Sequence, residues 1–173
     1  MAEFPPPSLQ PLIQEVFDLL RARNETISVA ETAAGGLISA CLISAPGASA
    51  IYKGGTTVYT LESRLSFGGW TSESVNGYTG PTTEIVAGLA DHSRLTLGST
   101  YAISESGTAG PTGGTTKNRT PGYVALAVSS AQGKFTREFE TGSNDRAANM
   151  VVFAREALKL LRDVISQVET PSL

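Results

Sequence analysis

Two residue types that carry much of enzyme chemistry are almost absent from this sequence. Cysteine occurs once, as Cys41, so no internal disulfide can form, and its place in the apolar stretch 37–43 predicts a buried, unreactive thiol. Histidine also occurs once, as His92, among polar residues of a predicted helix. A Ser-His-Asp triad would have to use it, but its surroundings indicate a surface side chain. No group of residues has the spacing of metal ligands, so no metal is predicted.

Long apolar runs and runs of basic residues are missing as well. Nothing approaches the roughly 18 consecutive apolar residues of a membrane span. Lys and Arg number 13 against 16 Asp and Glu, a net charge of −3, and no basic stripe could neutralise phosphates. Residues 1–8 are rich in proline rather than forming a signal peptide. We therefore expect neither nucleic acid nor membrane as a partner, and a cytoplasmic location.

Charged residues are scarce overall. They make up 17% of the chain, against about 25% in typical domains. The surface must then rely on Ser, Thr and Gly, or another subunit must cover part of it. This composition predicts a homodimer or a higher homo-oligomer.

The length of 173 residues fits one domain with a substantial core. We place this domain at residues 9–167, after a flexible proline-rich leader at 1–8 and before a tail at 168–173. Apolar residues at helical spacing predict helices at about 8–23, 35–44, 82–95 and 144–167. Runs of β-branched and aromatic residues predict strands at 26–30, 51–52, 56–60, 101–104, 123–129 and 135–139.

The order of these elements predicts the fold class. Helices and strands alternate, but the last two strands flank residues 131–134, which form a predicted hairpin turn. The stretch 65–81 holds four glycines and a proline and is predicted to be mostly loop. We therefore expect an α/β fold, a three-layer α/β/α sandwich around a mixed, mostly parallel sheet.

Two glycine-rich turns are the candidate binding elements. Gly35 and Gly36 follow the first strand, and residues 107–114 follow the strand at 101–104. Glycine lets a backbone approach a ligand closely, and the N–H groups at a helix start attract anions. Neither turn is a Walker loop or a dinucleotide-binding Gly-x-Gly-x-x-Gly turn, so alone they indicate little.

The residue sequences of several short segments, and their order along the chain, are more informative. They read Glu-Thr-Ala-Ala-Gly-Gly at 31–36, Pro-Gly-Ala-Ser at 46–49, Val-Tyr-Thr-Leu-Glu-Ser-Arg at 58–64, Ser-Gly-Thr-Ala-Gly-Pro-Thr-Gly-Gly at 106–114, Arg-Thr-Pro-Gly at 119–122 and Asn-Asp-Arg at 144–146. From about residue 9 to 165 the chain resembles the C-terminal domain of the CinA family. The family patterns are Glu-Ser-x-Thr-Gly-Gly, Pro-Gly-Ser-Ser, Thr-Tyr-Ser-Asn-Glu-x-Lys, Ser-Gly-Ile-Ala-Gly-Pro-x-Gly-Gly, Lys-Pro-x-Gly and Gly-Asp-Arg.

This resemblance implies a metal-independent and cofactor-independent amidohydrolase acting on a pyridine nucleotide. Active members hydrolyse the carboxamide of nicotinamide mononucleotide to give nicotinic acid mononucleotide and ammonia. They use the motif serine as nucleophile, with a nearby lysine and the tyrosine. Carried over, the implied catalytic residues are Thr32, Ser49, Tyr59 and Arg64. The implied substrate-binding residues are Glu31, Gly35, Gly36, Ser106, Thr108, Gly110, Gly113, Gly114 and Arg146. We expect the two glycine-rich turns to face each other across one cleft.

This chain departs from the family pattern at the positions that correspond to the catalytic residues. Thr32 replaces the serine and Arg64 replaces the lysine, and a guanidinium is a poor general base. Ala34 replaces a threonine, and Gly80 with Pro81 stand where the family usually has Ser-Glu. Two hypotheses follow: an amidohydrolase of the family type with Thr32 or Ser49 as nucleophile, or a diverged member that has lost deamidation. The second would bind a nucleotide-like small molecule or act on another one.

Overall fold

The computed structural model describes residues 3–167 and 171–172. Six α-helices lie within these residues: α1 Gln10–Ala22, α2 Leu37–Ile43, α3 Leu61–Phe67, α4 Ser72–Asn76, α5 Thr83–Leu97 and α6 Arg146–Ile165. Five strands make one sheet: β1 Ile27–Glu31, β2 Tyr52–Thr57, β3 Tyr101–Gly107, β4 Tyr123–Ser130 and β5 Gly133–Glu140. Two short 3-10 turns lie at Ala48–Ala50 and Lys117–Arg119.

The sheet is mixed, in the order β2-β1-β3-β4-β5. β1 pairs in parallel with both β2 and β3, and β4 is antiparallel to β3 and β5. Only β4 therefore runs against the other four strands. Parallel neighbours need a crossover through a helix, whereas β4 and β5 are joined directly by the turn at Ala131 and Gln132. The predicted mixed, mostly parallel sheet is confirmed.

The two faces of the sheet carry side chains of different size. Val29, Ile103 and Leu126 point to the face covered by α1, α2 and α6, where the larger apolar cluster lies. The opposite face presents the small Ala102, Ala125 and others to α5. Successive strand residues alternate between faces, so one strand serves both layers. The three-layer α/β/α sandwich is confirmed.

Two parts of the structure differ from the sequence predictions. The stretch predicted as mostly loop contains the end of α3 and the whole of α4. Each of these helices begins at a threonine whose hydroxyl accepts a serine N–H, Thr60 with Ser63 and Thr71 with Ser74. Such capping stabilises short helices that show little apolar periodicity. The strand predicted in two pieces is the single edge strand β2.

Residues 1–2 of the predicted leader and residues 168–170 and 173 of the predicted tail lie outside the described residues. Ser172, in the predicted tail, donates its N–H to the Lys134 carbonyl of β5 at 2.8 Å. None of the helices within residues 3–167 is long and apolar enough to cross a membrane.

The core beneath β3 depends on Phe153 of α6, which is fully buried, with its ring against Gly107. We expect Phe153→Ala to lower the free energy of unfolding by about 3–5 kcal/mol, because a large buried ring leaves a cavity. Urea denaturation measures this change. Phe4→Ala is the matched control, since Phe4 is 55% exposed, and should change stability by less than about 0.5 kcal/mol. Equal losses in both variants would contradict the assigned packing.

Candidate functional site

The carboxyl ends of β1 and β3 bring two predicted site residues together. Because β1 and β3 are adjacent and parallel, Thr32 and Ser106 emerge at the same edge of the sheet. Thr32 Oγ1 donates a hydrogen bond to Ser106 Oγ at 3.1 Å, and both residues are buried. The candidate nucleophile is therefore in contact with a second hydroxyl.

Arg64, in the family's lysine position, reaches this pair from α3. Its side chain is buried, with only 4% of the residue exposed. Nε donates to the Val58 carbonyl at 3.3 Å, and Nη2 lies 3.5 Å from Ser106 Oγ. The guanidinium carbon lies 5.0 Å from the ring centroids of both Trp70 and Tyr78, a cation–π arrangement. Thr32, Ser106 and Arg64 thus form one buried polar cluster.

Glu105 is a site residue that the sequence reasoning missed. It is fully buried in β3, and Oε1 accepts the Thr32 N–H at 2.6 Å and the Ala34 N–H at 2.7 Å. Oε2 has no hydrogen-bond partner among the described residues. Burial raises the pKa of this carboxyl to about 7, although the two backbone N–H groups oppose the rise. A carboxylate inside a strand of apolar and small residues was the available signal.

Glu31, predicted to bind substrate, instead holds the turn that follows it. Its carboxylate accepts hydrogen bonds from the N–H groups of Gly36, Ile38 and Ser39 and from the Ser39 hydroxyl. Gly35 N–H bonds to the Thr32 carbonyl. The N–H groups that we expected to attract a ligand anion at Gly35 and Gly36 are therefore already bonded within the protein.

Tyr59 and Arg146 are joined at the rim of this edge. Arg146 Nη2 donates to the Tyr59 hydroxyl at 2.8 Å, and Nη1 donates to the Gly110 carbonyl at 2.8 Å. Tyr59 is 57% exposed. This contact links the end of β2, the start of α6 and the second glycine-rich turn, and it leaves Tyr59 at the surface rather than in the buried cluster.

Ser49 lies away from the other predicted catalytic residues. It is in the 3-10 turn that precedes β2, and β2 runs parallel to β1. The start of β2 is paired with the start of β1, whereas Thr32 follows the end of β1. Within one chain, Ser49 and Thr32 are therefore at opposite ends of these parallel strands. The expected grouping of Ser49 with Thr32 is not found.

The second glycine-rich turn lines a cavity of about 340 Å³. Thr108, Gly113 and Gly114 form one side, with the exposed Arg119 beside them. The remaining wall is Tyr78, Gly80 and Pro81, and no residue of the 32–36 turn lines this cavity. Ser106, which precedes this turn, contacts Thr32 of the first turn, and a cleft shared by the two turns stays a prediction.

A second cavity, of about 440 Å³, adjoins the aromatic side chains. Trp70, Tyr78 and His92 line it together with Glu73 and Glu84. Tyr78 also borders the smaller cavity, so its ring separates the two. His92 is half-buried against Gly69 rather than free on the surface. Within residues 3–167 and 171–172, no group of three His, Cys, Asp or Glu side chains could hold a metal ion.

The raised pKa of Glu105 predicts a pH dependence of stability. A carboxyl with a higher pKa in the folded state makes the protein less stable as pH rises from about 5 to 7, because the folded state must give up a proton that the unfolded state has already lost. We expect Glu105→Gln to remove this decline, worth at most about 3 kcal/mol. Urea denaturation at several pH values measures the difference between the two proteins.

Glu73→Gln is the control for this series, since Glu73 is exposed on α4. It should keep the wild-type decline. A wild-type protein whose stability changes with pH between 5 and 7 in the same way as Glu105→Gln would contradict the assignment.

Comparison with known proteins gives a consistent result. The CinA C-terminal domain model matches residues 9–165. A CinA-like protein of Fervidobacterium nodosum is 34% identical over 118 residues, 68% of this chain and 29% of that protein. A CinA-like protein of Shewanella piezotolerans is 32% identical over 151 residues, 87% of this chain and 35% of that protein. The chain thus spans about a third of the length of these relatives.

Solved structures agree in fold. A competence/damage-inducible protein from Agrobacterium tumefaciens has a TM-score of 0.86 and 24% identity, covering 96% of this chain and 100% of its own. A CinA superfamily protein from Klebsiella pneumoniae has a TM-score of 0.84 and 23% identity, covering 91% and 97%. The sequence match over residues 9–165 and this shared fold show that the chain belongs to the CinA C-terminal domain family.

Proposed function

We propose that this chain binds a nucleotide-like small molecule at the CinA-type site and has lost most of the family's deamidation of nicotinamide mononucleotide. The observation that carries the proposal is the buried guanidinium of Arg64 beside Ser106 and Thr32. To act as a nucleophile, a hydroxyl must give its proton to a base. A guanidinium stays protonated and cannot take that proton.

The backbone around Thr32 supports the same proposal. Hydrolysis of an amide needs hydrogen-bond donors free to bind the oxyanion that develops on the carbonyl. The N–H groups of Thr32 and Ala34, which are next to the candidate nucleophile, are both bonded to Glu105. With those donors taken and no base in the lysine position, the cluster is better suited to holding a ligand than to cleaving one.

Space for a ligand adjoins this cluster. The 340 Å³ cavity is bounded by the glycine-rich turn and by Tyr78, whose ring lies on Arg64. Arg119 adds a cation beside Gly114, and Thr108 and Thr112 add hydroxyl groups. These groups could contact the phosphate and sugar of a mononucleotide. The predicted substrate-binding residues Thr108, Gly113 and Gly114 have this role in the proposal.

Amide hydrolysis is the second candidate function. The hydrogen bond from Thr32 Oγ1 to Ser106 Oγ favours it, since a hydroxyl is held in place at the position of the family's nucleophile. This mechanism would use Thr32 as nucleophile, with a bound water taking its proton and passing one to the departing ammonia, and with Arg64 stabilising negative charge rather than accepting a proton.

Deamidation by the wild-type protein should be very slow or absent. Restoring the family pair, Thr32→Ser together with Arg64→Lys, should raise ammonia release from nicotinamide mononucleotide, because a lysine can act as a general base. Such assistance contributes about 10² to 10⁴-fold. Ammonia release by the purified proteins measures the effect, and Arg23→Lys, at the exposed end of α1, is the control for an Arg-to-Lys change away from the site.

The two candidate functions differ sharply in this assay. Rapid deamidation by the wild-type protein would overturn the loss of activity and favour hydrolysis by Thr32. A double variant that binds the nucleotide in a thermal-shift assay but stays inert would show that the lysine and serine are not sufficient.

We also propose that the chain forms a homo-oligomer through the edge strand β2. Phe67, Leu95 and Leu97 are 65%, 66% and 37% exposed, and Leu97 lies beside Gly54 of this strand. An unpaired edge next to apolar side chains favours association with another copy. Light scattering should give a mass above that of one chain, and Phe67→Glu with Leu95→Glu should reduce it to a monomer. Phe4→Glu, at another exposed site, should not, and a wild-type monomer at micromolar concentration would refute the proposal.

A further inference from the structure

Arg64 is a buried cation that forms no direct ion pair with any described residue. Nη1 has no hydrogen-bond partner among the described residues, and Nη2 has only the 3.5 Å contact with Ser106. Arg64 takes no part in the ion pairs that the described residues form. A buried charge with no partner is costly, and arginine cannot avoid the cost by losing its proton. The two aromatic rings offset only part of it.

Glu105 supplies the missing negative charge only in part: burial raises the pKa of its carboxyl and the charge of Arg64 opposes that rise, but neither carboxylate oxygen bonds to Arg64. Its Oε1 is bonded to the backbone of Thr32 and Ala34, and its Oε2 forms no hydrogen bond with any described residue. Side chains alternate along β3, so Glu105 points to the same face as Ile103, toward α2 and α6. Ser106, which Arg64 contacts, points to the opposite face. Among the described residues, Arg64 Nη1 therefore has no protein anion within hydrogen-bond distance.

A short aromatic segment covers the guanidinium. Trp70 and Tyr78 contact each other with ring centroids 5.6 Å apart, and both lie over Arg64. They belong to the segment between Gly69 and Gly80, which have φ values of 72° and 124°. α4, within this segment, buries no residue. Tyr78 lines both cavities and Arg64 lines neither, so the guanidinium becomes accessible from them only if the Tyr78 ring over it moves.

We propose that Arg64 is the receptor for the carboxylate of an aromatic carboxylic acid, whose ring packs against Trp70 and Tyr78. The proposal rests on the proposed function, because it places the ligand at the same cluster and names its chemical class. A planar carboxylate matches the fork of the guanidinium and can bond to Nη1 and Nη2 together. Flat aromatic walls suit an aromatic ring.

Phosphate is less suited to this position. The 440 Å³ cavity beside the aromatic side chains is also lined by Glu73 and Glu84. These two carboxylates would repel a doubly charged group more than a singly charged one. A neutral carboxamide would leave the charge of Arg64 without a partner. The geometry therefore favours a monoanionic carboxylate over both the phosphate and the amide.

Trp70 is the single tryptophan of the chain, so its fluorescence reports on this site alone. The full-length protein is titrated with benzoate, benzamide and inorganic phosphate, with excitation at wavelengths that benzoate does not absorb. We expect a saturable change with benzoate, at a Kd about tenfold or more below that for benzamide, because the carboxylate gains charge-assisted hydrogen bonds. Phosphate should give no saturable change.

Arg64→Gln removes the charge and keeps a polar, though shorter, side chain. It should weaken benzoate binding to the level of benzamide, whereas Arg23→Gln, at an exposed arginine at the end of α1, should leave binding within about twofold of wild type. If Arg64→Gln fails to fold by circular dichroism, the comparison of benzoate with benzamide on the wild-type protein decides alone. Equal affinities for the two probes, or a phosphate response like that of benzoate, would overturn the proposal.

The assay separates this proposal from the proposed function. Ammonia release from nicotinamide mononucleotide tests deamidation, and the fluorescence titration tests carboxylate binding. Slow deamidation without a benzoate response would reject the carboxylate receptor alone. Rapid deamidation with a benzoate response would reject the loss of activity alone.

Discussion

The candidate site depends on one buried carboxylate at the end of the central strand. Glu105 accepts the N–H groups of Thr32 and Ala34, and this contact fixes the turn after β1. The fixed turn holds the Thr32 hydroxyl against Ser106, and Ser106 in turn contacts Arg64. A buried carboxyl with a raised pKa is therefore the constraint that places the polar cluster, and it also takes the donors that an oxyanion would need.

The arginine and the acid have different consequences for the chemistry. Arg64 keeps a positive charge where the family pattern has a group able to lose one. Glu105 adds a carboxylate to a turn whose other N–H groups Glu31 already binds. With both features, the site is a rigid, hydrogen-bonded arrangement that lacks a general base and a free nucleophile. This is the physical reason for proposing ligand binding in place of deamidation.

The sequence predicted much of the fold and part of the site. The β4 run 123–129 and the α6 pattern were recognised because apolar periodicity follows directly from burial. α4 was missed because its stability comes from the Thr71 cap rather than from an apolar face. Trp70 and Tyr78 could not be placed on Arg64 from spacing, since that contact depends on how the segment 69–80 folds back. Ser49 was grouped with Thr32 by resemblance, but the parallel pairing of β1 and β2 separates them.

The central claim is that Arg64 serves as an anion receptor rather than as a substitute base, and a crystal structure of the protein with benzoate bound tests it most directly. We expect the benzoate carboxylate within hydrogen-bond distance of Arg64 Nη1, with the benzoate ring against Trp70 and against a Tyr78 ring that has moved off Arg64. Trp70 and Tyr78 still closed over Arg64, with benzoate absent from the cluster or bound elsewhere, would contradict it.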